Sequence, residues 1–187
     1  MSRKSLILYA SKTGNTEKIA LRFKKAFEKK GWQCDIFKID KNTDTKNQPV
    51  DFNNYDFLCV GSPVYGAQPW KEIMNFMDVN PLNPHHVGKD GRRSYKKVVL
   101  GPKKGIVFVT YAGPHLGPKE AAPALISLEV EMEHLKFECI GSFACPGVNR
   151  EIDVGNEGWH GDISGRPNER DLLKAEIFME EKIEEID

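Results

Sequence analysis

Five short apolar runs punctuate the chain: residues 4–10 (KSLILYA), 32–39 (WQCDIFKI), 55–61 (YDFLCVG), 105–111 (GIVFVTY) and 137–144 (FECIGSFA). Each is rich in Val, Ile, Leu or Phe, and Gly, Pro or Asn bound most of them, which predicts buried strands. Several are near-continuous rather than alternating, as expected when both faces of a parallel sheet are covered. Between the runs the period becomes helical. Ile19, Ala20, Phe23 and Phe27 form one stripe, with Lys18, Arg22, Lys24, Lys25, Lys29 and Lys30 mostly on the other side and Gly31 as the stop. Ala121, Leu125, Leu128, Met132 and Leu135 predict a second helix, where Pro123 is tolerable only near the first turn. Asn168, with Asp171 three residues on, predicts the start of a last helix whose stripe is Leu172, Ala175, Met179, Ile183 and Ile186. A shorter helix starts near Trp70 and carries Ile73, Met74 and Phe76, whereas the polar link 40–54 predicts a short or poor helix at most.

Alternating strand and helix implies an α/β fold, a doubly wound five-stranded parallel sheet in three layers. Two stretches read as surface excursions from a single domain spanning 1–187. Residues 80–104 are rich in Pro, Lys and Arg, and residues 146–167 carry five glycines without periodicity. Loops of that length are usually functional or mobile.

Composition narrows the picture. A chain of 187 residues is one domain at roughly 150 residues each. An apolar share of 40% excludes a disordered chain, and no run approaches the apolar length of a membrane helix. Met1-Ser2-Arg3-Lys4 leads straight into the first strand without a cleavable leader, so the expected location is cytoplasmic. Lys and Arg (27) balance Asp and Glu (27), leaving no global attraction to nucleic acid. Cys34, Cys59, Cys139 and Cys145 form no C-x-x-C pair and read as packed thiols rather than disulfides or metal ligands. The His85-His86 pair lacks a second ligand cluster, Glu180, Glu181, Glu184 and Glu185 read as the wet face of the last helix, and no nucleophile arrangement stands out.

The informative motif is Ser11-Lys12-Thr13-Gly14-Asn15-Thr16, between the first strand and the first helix. Unpaired amides, the helix dipole and hydroxyl donors make such a turn an anion site. It is neither G-x-x-x-x-G-K-[ST] nor G-x-G-x-x-G, and hydroxyls with few glycines suit a terminal phosphate monoester. Two further segments, Gly61-Ser62-Pro63-Val64-Tyr65-Gly66-Ala67-Gln68-Pro69-Trp70 and Thr110-Tyr111-Ala112-Gly113-Pro114, come after the third and fourth strands. Loops after strands 1, 3 and 4 converge at the switch point of such a sheet. Each pairs glycine with an aromatic, permitting close backbone approach to a flat ring and a face to stack on. A phosphate loop beside a ring slot predicts a mononucleotide site.

On these three segments the chain resembles the flavodoxin family, which binds FMN; the match runs from about residue 4 to 144 and again in the final helix. Residues 165–172 (GRPNERDL) also look like the opening of the last helix in flavodoxin-like proteins. The resemblance implies strand order 2-1-3-4-5. It implies that Ser11, Thr13, Asn15 and Thr16 bind the FMN phosphate together with the amides of Lys12 and Gly14. Pro63, Val64, Tyr65 and Gly66 would line the isoalloxazine, with Tyr65 flanking it and Gly66 offering a carbonyl near flavin N5. Thr110, Tyr111, Ala112 and Gly113 would approach the pyrimidine end. Tyr111 and His115 are candidates for the opposite face, and Trp159-His160-Gly161-Asp162 for a cover over the flavin edge.

The implied function is electron transfer with a redox partner protein. Carriers of this family are typically strongly acidic, and this chain is neutral with basic residues at Lys89, Arg92, Arg93, Lys96, Lys97, Lys103 and Lys104. An FMN-dependent NAD(P)H reductase of a quinone or other small acceptor is therefore the alternative, its pocket often lying at a homodimer interface in related proteins. Neither reading involves nucleic acid or a membrane. A flavodoxin-like interaction module without FMN is the third possibility, opposed by the intact phosphate loop.

Overall fold

The computed structural model of the chain describes residues 3–44, 50–78, 97–149 and 155–186, with backbone alone at 86–87 and 93–94. Five long strands, β1 (Lys4–Ala10), β2 (Gln33–Ile39), β3 (Phe57–Tyr65), β4 (Lys104–Tyr111) and β5 (Glu138–Pro146), lie parallel in the order β2-β1-β3-β4-β5. Among the described residues four α-helices cover them: α1 (Asn15–Lys29), α2 (Lys71–Asp78), α3 (Ala122–His134) and α4 (Glu169–Glu184). The chain steps from β1 to β2 in one direction and from β3 onward in the other. The carboxyl ends of β1 and β3 therefore open a crevice.

The alternation of side chains along each strand divides the core in two. Leu6, Leu8, Leu58, Val60, Val107 and Val109 pack on one face with Phe76, Leu128 and Met132 from α2 and α3. Ile7, Phe57, Cys59, Ile106 and Phe108 pack on the other with Phe23, Phe27 and Met179 from α1 and α4. Phe23 and Phe108 meet edge to face, ring centroids 4.9 Å apart. All four cysteines are free, and Cys34, Cys59 and Cys145 are buried. In the 40–54 link, residues 45–49 lie outside the described residues. The link ends in one 3-10 turn, Phe52–Asn54, with Phe52 in the core.

Two sequence expectations need correction. The third strand was expected to stop at Gly61, but it continues to Tyr65 because Gly61, Ser62 and Pro63 stay in register with Phe108, Val109 and Thr110 of β4. The chain then turns back at once through a two-residue antiparallel strand, Gln68–Pro69, paired with Val64 and Tyr65. The acidic side of α4 is also not simply a wet face. Arg22 reaches Glu169 at 2.6 Å, Lys29 reaches Glu180 at 2.6 Å and Lys30 reaches Glu184 at 2.5 Å, forming a ladder between α1 and α4. The amphipathic periods of the two helices locate this seam only once both are known to lie side by side. Exposed pairs of this kind contribute about 0–1 kcal/mol each, so burial dominates the packing of α4.

Within the 80–104 excursion, His86–Val87 and Arg93–Ser94 pair as a short antiparallel ribbon. His85, Lys89, Arg92 and Lys96 lie outside the described residues. Among the described residues no helix is long and apolar enough to cross a membrane.

Close packing makes Gly61 a sensitive position, because a Cβ there would stand 2.1 Å from the Phe108 ring. Gly61→Ala is expected to cost about 1–3 kcal/mol through overpacking. Urea unfolding measures it, and an unchanged midpoint would mean that the β3–β4 contact is looser than described.

Candidate functional site

Helix α1 begins at Asn15 with Gly14 at its N-cap, so the capping position has no side chain to offer the first amides. The adjoining residues are held from several directions. The Glu17 amide donates to Ser11 Oγ at 3.3 Å, and the Glu17 carboxylate accepts from the Tyr9 hydroxyl at 2.8 Å and from Lys38 Nζ at 3.1 Å. Tyr9 and Lys38 together hold that carboxyl below its usual range despite partial burial. Thr16 Oγ1 lies 2.8 Å from Thr110 Oγ1, both side chains buried, joining the first turn of α1 to the end of β4. Asn15 Nδ2 donates to the Val148 carbonyl at 2.7 Å.

Above this helix start lies a cleft of about 250 Å³. Of the residues expected from the sequence, Thr13, Asn15, Pro63, Val64, Tyr65, Gly66, Thr110, Tyr111, Ala112 and Gly113 line it. Ser11 and Thr16 are buried beneath, turned toward Glu17 and Thr110, while Lys12 is exposed with its ammonium 6.0 Å from the centre of the Tyr65 ring. Gly14 caps the helix and is not part of the lining. The β3 side of the cleft is a two-residue hairpin turn in which Gly66 (φ 56°) and Ala67 (φ 63°) are both left-handed. That backbone suits the twist of the flanking strands and explains the glycine at 66; Ala67 holds the same conformation at a cost of about 1–2 kcal/mol.

The β4 side is a turn held by a carboxylate. The amides of His115 and Leu116 both donate to Glu120 Oε1, at 2.8 and 2.6 Å. Tyr111 is buried, which pushes its phenol up to about 12 with a further contribution from Cys145, so it remains neutral at ordinary pH. The Trp159 amide donates to the Pro114 carbonyl at 2.9 Å, and the Trp159 ring covers Gly117 while remaining 63% exposed. His160 meets Tyr111 edge to face, ring centroids 5.5 Å apart. Its Nε2 has no hydrogen-bond partner among the described residues, and burial followed by the nearby Arg166 lowers its pKa, with Glu120 opposing.

The late loop therefore returns to the cleft, and it does so at two places. The Trp159–His160 segment packs beside the β4 turn. Gly147, Val148 and Asn149 line the cleft itself, together with Ala67, Pro114, His115 and Glu120. Gly147, Val148 and Asn149 were not expected from the sequence. They come after the last strand with neither a hydroxyl-rich pattern nor an aromatic, and the only local signal was the length of the glycine-rich stretch.

Comparison with known proteins agrees with this fold. The flavodoxin family model matches residues 7–101. An uncharacterized protein of Methanocaldococcus jannaschii is 29% identical over 180 residues, covering 94% of this chain and 95% of its own. Flavodoxin 2 of Bacillus cereus superimposes with a TM-score of 0.62 at 20% identity, covering 97% of this chain and 99% of its own. Rubredoxin oxygen:oxidoreductase of Desulfovibrio gigas superimposes at 0.65 with 13% identity, over 98% of this chain and 36% of that enzyme. At such identities the structural matches establish the shared fold.

The buried Thr16–Thr110 pair yields a prediction for stability. Either Thr16→Val or Thr110→Val strands the other hydroxyl and is expected to cost about 1–3 kcal/mol. The double variant should cost less than the sum, because no unpaired hydroxyl then remains. Strictly additive losses in urea unfolding would argue against the bond.

Proposed function

Because the chain belongs to the flavodoxin family, we propose that it binds FMN non-covalently in this cleft and serves in electron transfer. The observation that carries the reading is the meeting, in one cleft, of a helix start capped by glycine with two tyrosine-bearing turns. The residues present fit the cofactor. A phosphate monoester needs several N–H and O–H donors and a positive dipole end, which the start of α1 and the Thr13 hydroxyl supply. A tricyclic ring needs apolar faces and nearby backbone donors, which Tyr65, Tyr111, Gly66 and Ala112 supply.

FMN brings the one- and two-electron chemistry that these side chains lack. The protein binds it, orients it and sets its electrostatic surroundings. Tyr111 stays uncharged, and His160 is held toward its neutral form. Lys12 adds a positive charge near the Tyr65 ring. The equal number of acidic and basic residues favours a second reading, an FMN-dependent NAD(P)H reductase of a quinone or another small acceptor, since the chain carries no net acidic charge to steer a docking partner.

The visible spectrum of purified protein before and after FMN addition tests the cofactor. A bound-flavin spectrum is expected, and protein that is colourless once excess FMN has been removed by gel filtration contradicts both readings. Thr13→Ala removes one charge-assisted hydrogen bond and is expected to weaken FMN about tenfold or more; an unchanged Kd would remove Thr13 from the phosphate site. Rapid mixing of the holoprotein with NADPH or NADH separates the roles, prompt bleaching assigning the reductase and a persistent oxidised spectrum the carrier.

A further inference from the structure

Asn15 stands in the phosphate loop, yet its side chain is also tied to a distant segment. Nδ2 is the donor atom of that side chain, and one of its two N–H groups donates to the Val148 carbonyl at 2.7 Å, across 133 residues of sequence. Asn15 is 8% exposed, and Gly147 lies directly against it: a Cβ at Gly147 would come within 2.9 Å of Nδ2 and 3.2 Å of Cγ. On its other side the same short segment is tied to the end of β4, the Gly147 amide donating to the Tyr111 carbonyl at 2.9 Å. The Val148 amide donates to the Arg166 carbonyl at 3.1 Å. Arg166 in turn grips Asp171 through two hydrogen bonds of 2.8 and 2.5 Å, and Asp171 completes the capping box of α4 with Asn168. Burial opposes ionisation of Asp171, but Arg166 and the Asn168 amide outweigh it and keep the carboxyl below its usual range.

The segment is thus fastened on one side to the helix start that faces the phosphate and on the other to the end of β4, from which the ring-facing turn leaves. From this we infer that Gly147, Val148 and Asn149 form a third wall of the flavin site, lying along the chain between ring and phosphate, and that Asn15 is the positioning residue that holds this wall closed. The inference rests on the FMN reading above and deepens it. It gives Asn15 the part of a clamp, and it explains why residue 147 is glycine where its backbone is not left-handed: the space a methyl group would occupy is taken by the Asn15 amide.

Comparing FMN with riboflavin, which lacks the phosphate, separates a clamp from a phosphate ligand. Titration of apoprotein with both ligands is expected to show Asn15→Ala and Gly147→Ala raising both Kd values by a similar factor, about fivefold or more, so that their ratio stays at the wild-type value. Thr13→Ala should instead shrink that ratio. At saturating FMN, the visible circular dichroism of the bound flavin should change in the Asn15 and Gly147 variants and stay close to wild type in Thr13→Ala. Asn15→Leu keeps the side-chain volume while removing the donor and adds no charge beside the phosphate, and should behave like Asn15→Ala if the latter folds poorly.

Loss of FMN affinity with riboflavin affinity and dichroism intact would overturn the clamp and restore Asn15 as a phosphate ligand. Unchanged affinities in all three clamp variants would remove the wall from the site. Wild-type protein that binds neither ligand would instead overturn the FMN reading on which the inference stands.

Discussion

A helix that starts at the carboxyl edge of a parallel sheet leaves its first amides without partners in its own backbone, and the cleft is organised around that deficit. In this chain the deficit is placed with care. Gly14 contributes no side chain to the cap, Ser11 Oγ accepts from the amide of Glu17, and the Thr16 hydroxyl is turned down onto Thr110. The start of α1 is therefore pinned from below and from the side while the cleft lies above it. The dipole of the fifteen-residue helix adds a preference for negative charge at that point, on the order of 0.3–1 kcal/mol for each favourable interaction.

Pinning matters because the other walls are set by different parts of the chain. The β3 wall is a hairpin turn with two successive left-handed residues, and the β4 wall is a turn gathered around the Glu120 carboxylate. Both sit on strands buried on two faces, so their positions are set by packing deep in the sheet, including the contact of the Phe108 ring with the Gly61 backbone. Backbone rigidity below and adaptable turns above is the arrangement that lets a fold hold one ligand while its loops diversify.

Much of this was legible in the residues. The near-continuous runs announced a doubly covered sheet, and the Phe23–Phe27 and Met179–Ile183 stripes announced the helices that close one face. The phosphate-loop pattern stood out because its hydroxyls, glycine and amide side chain occupy consecutive positions. The features that could not be read depended on partners distant in sequence. The continuation of β3 past Gly61 depends on a β4 strand of matching length, and the α1–α4 ion ladder depends on the two helices lying side by side. Likewise Asn15 looked like one more polar residue of the loop, because its contact with Val148 exists only after β5 has been laid beside β4.

A crystal structure of the protein grown with FMN would locate the flavin. The phosphate group is expected to rest on the amides at the start of α1, within hydrogen-bond distance of the Thr13 hydroxyl, with the ring between Tyr65 and Tyr111. A helix start closed by its own side chains in excess FMN, or a flavin bound elsewhere with that turn empty, would contradict this placement.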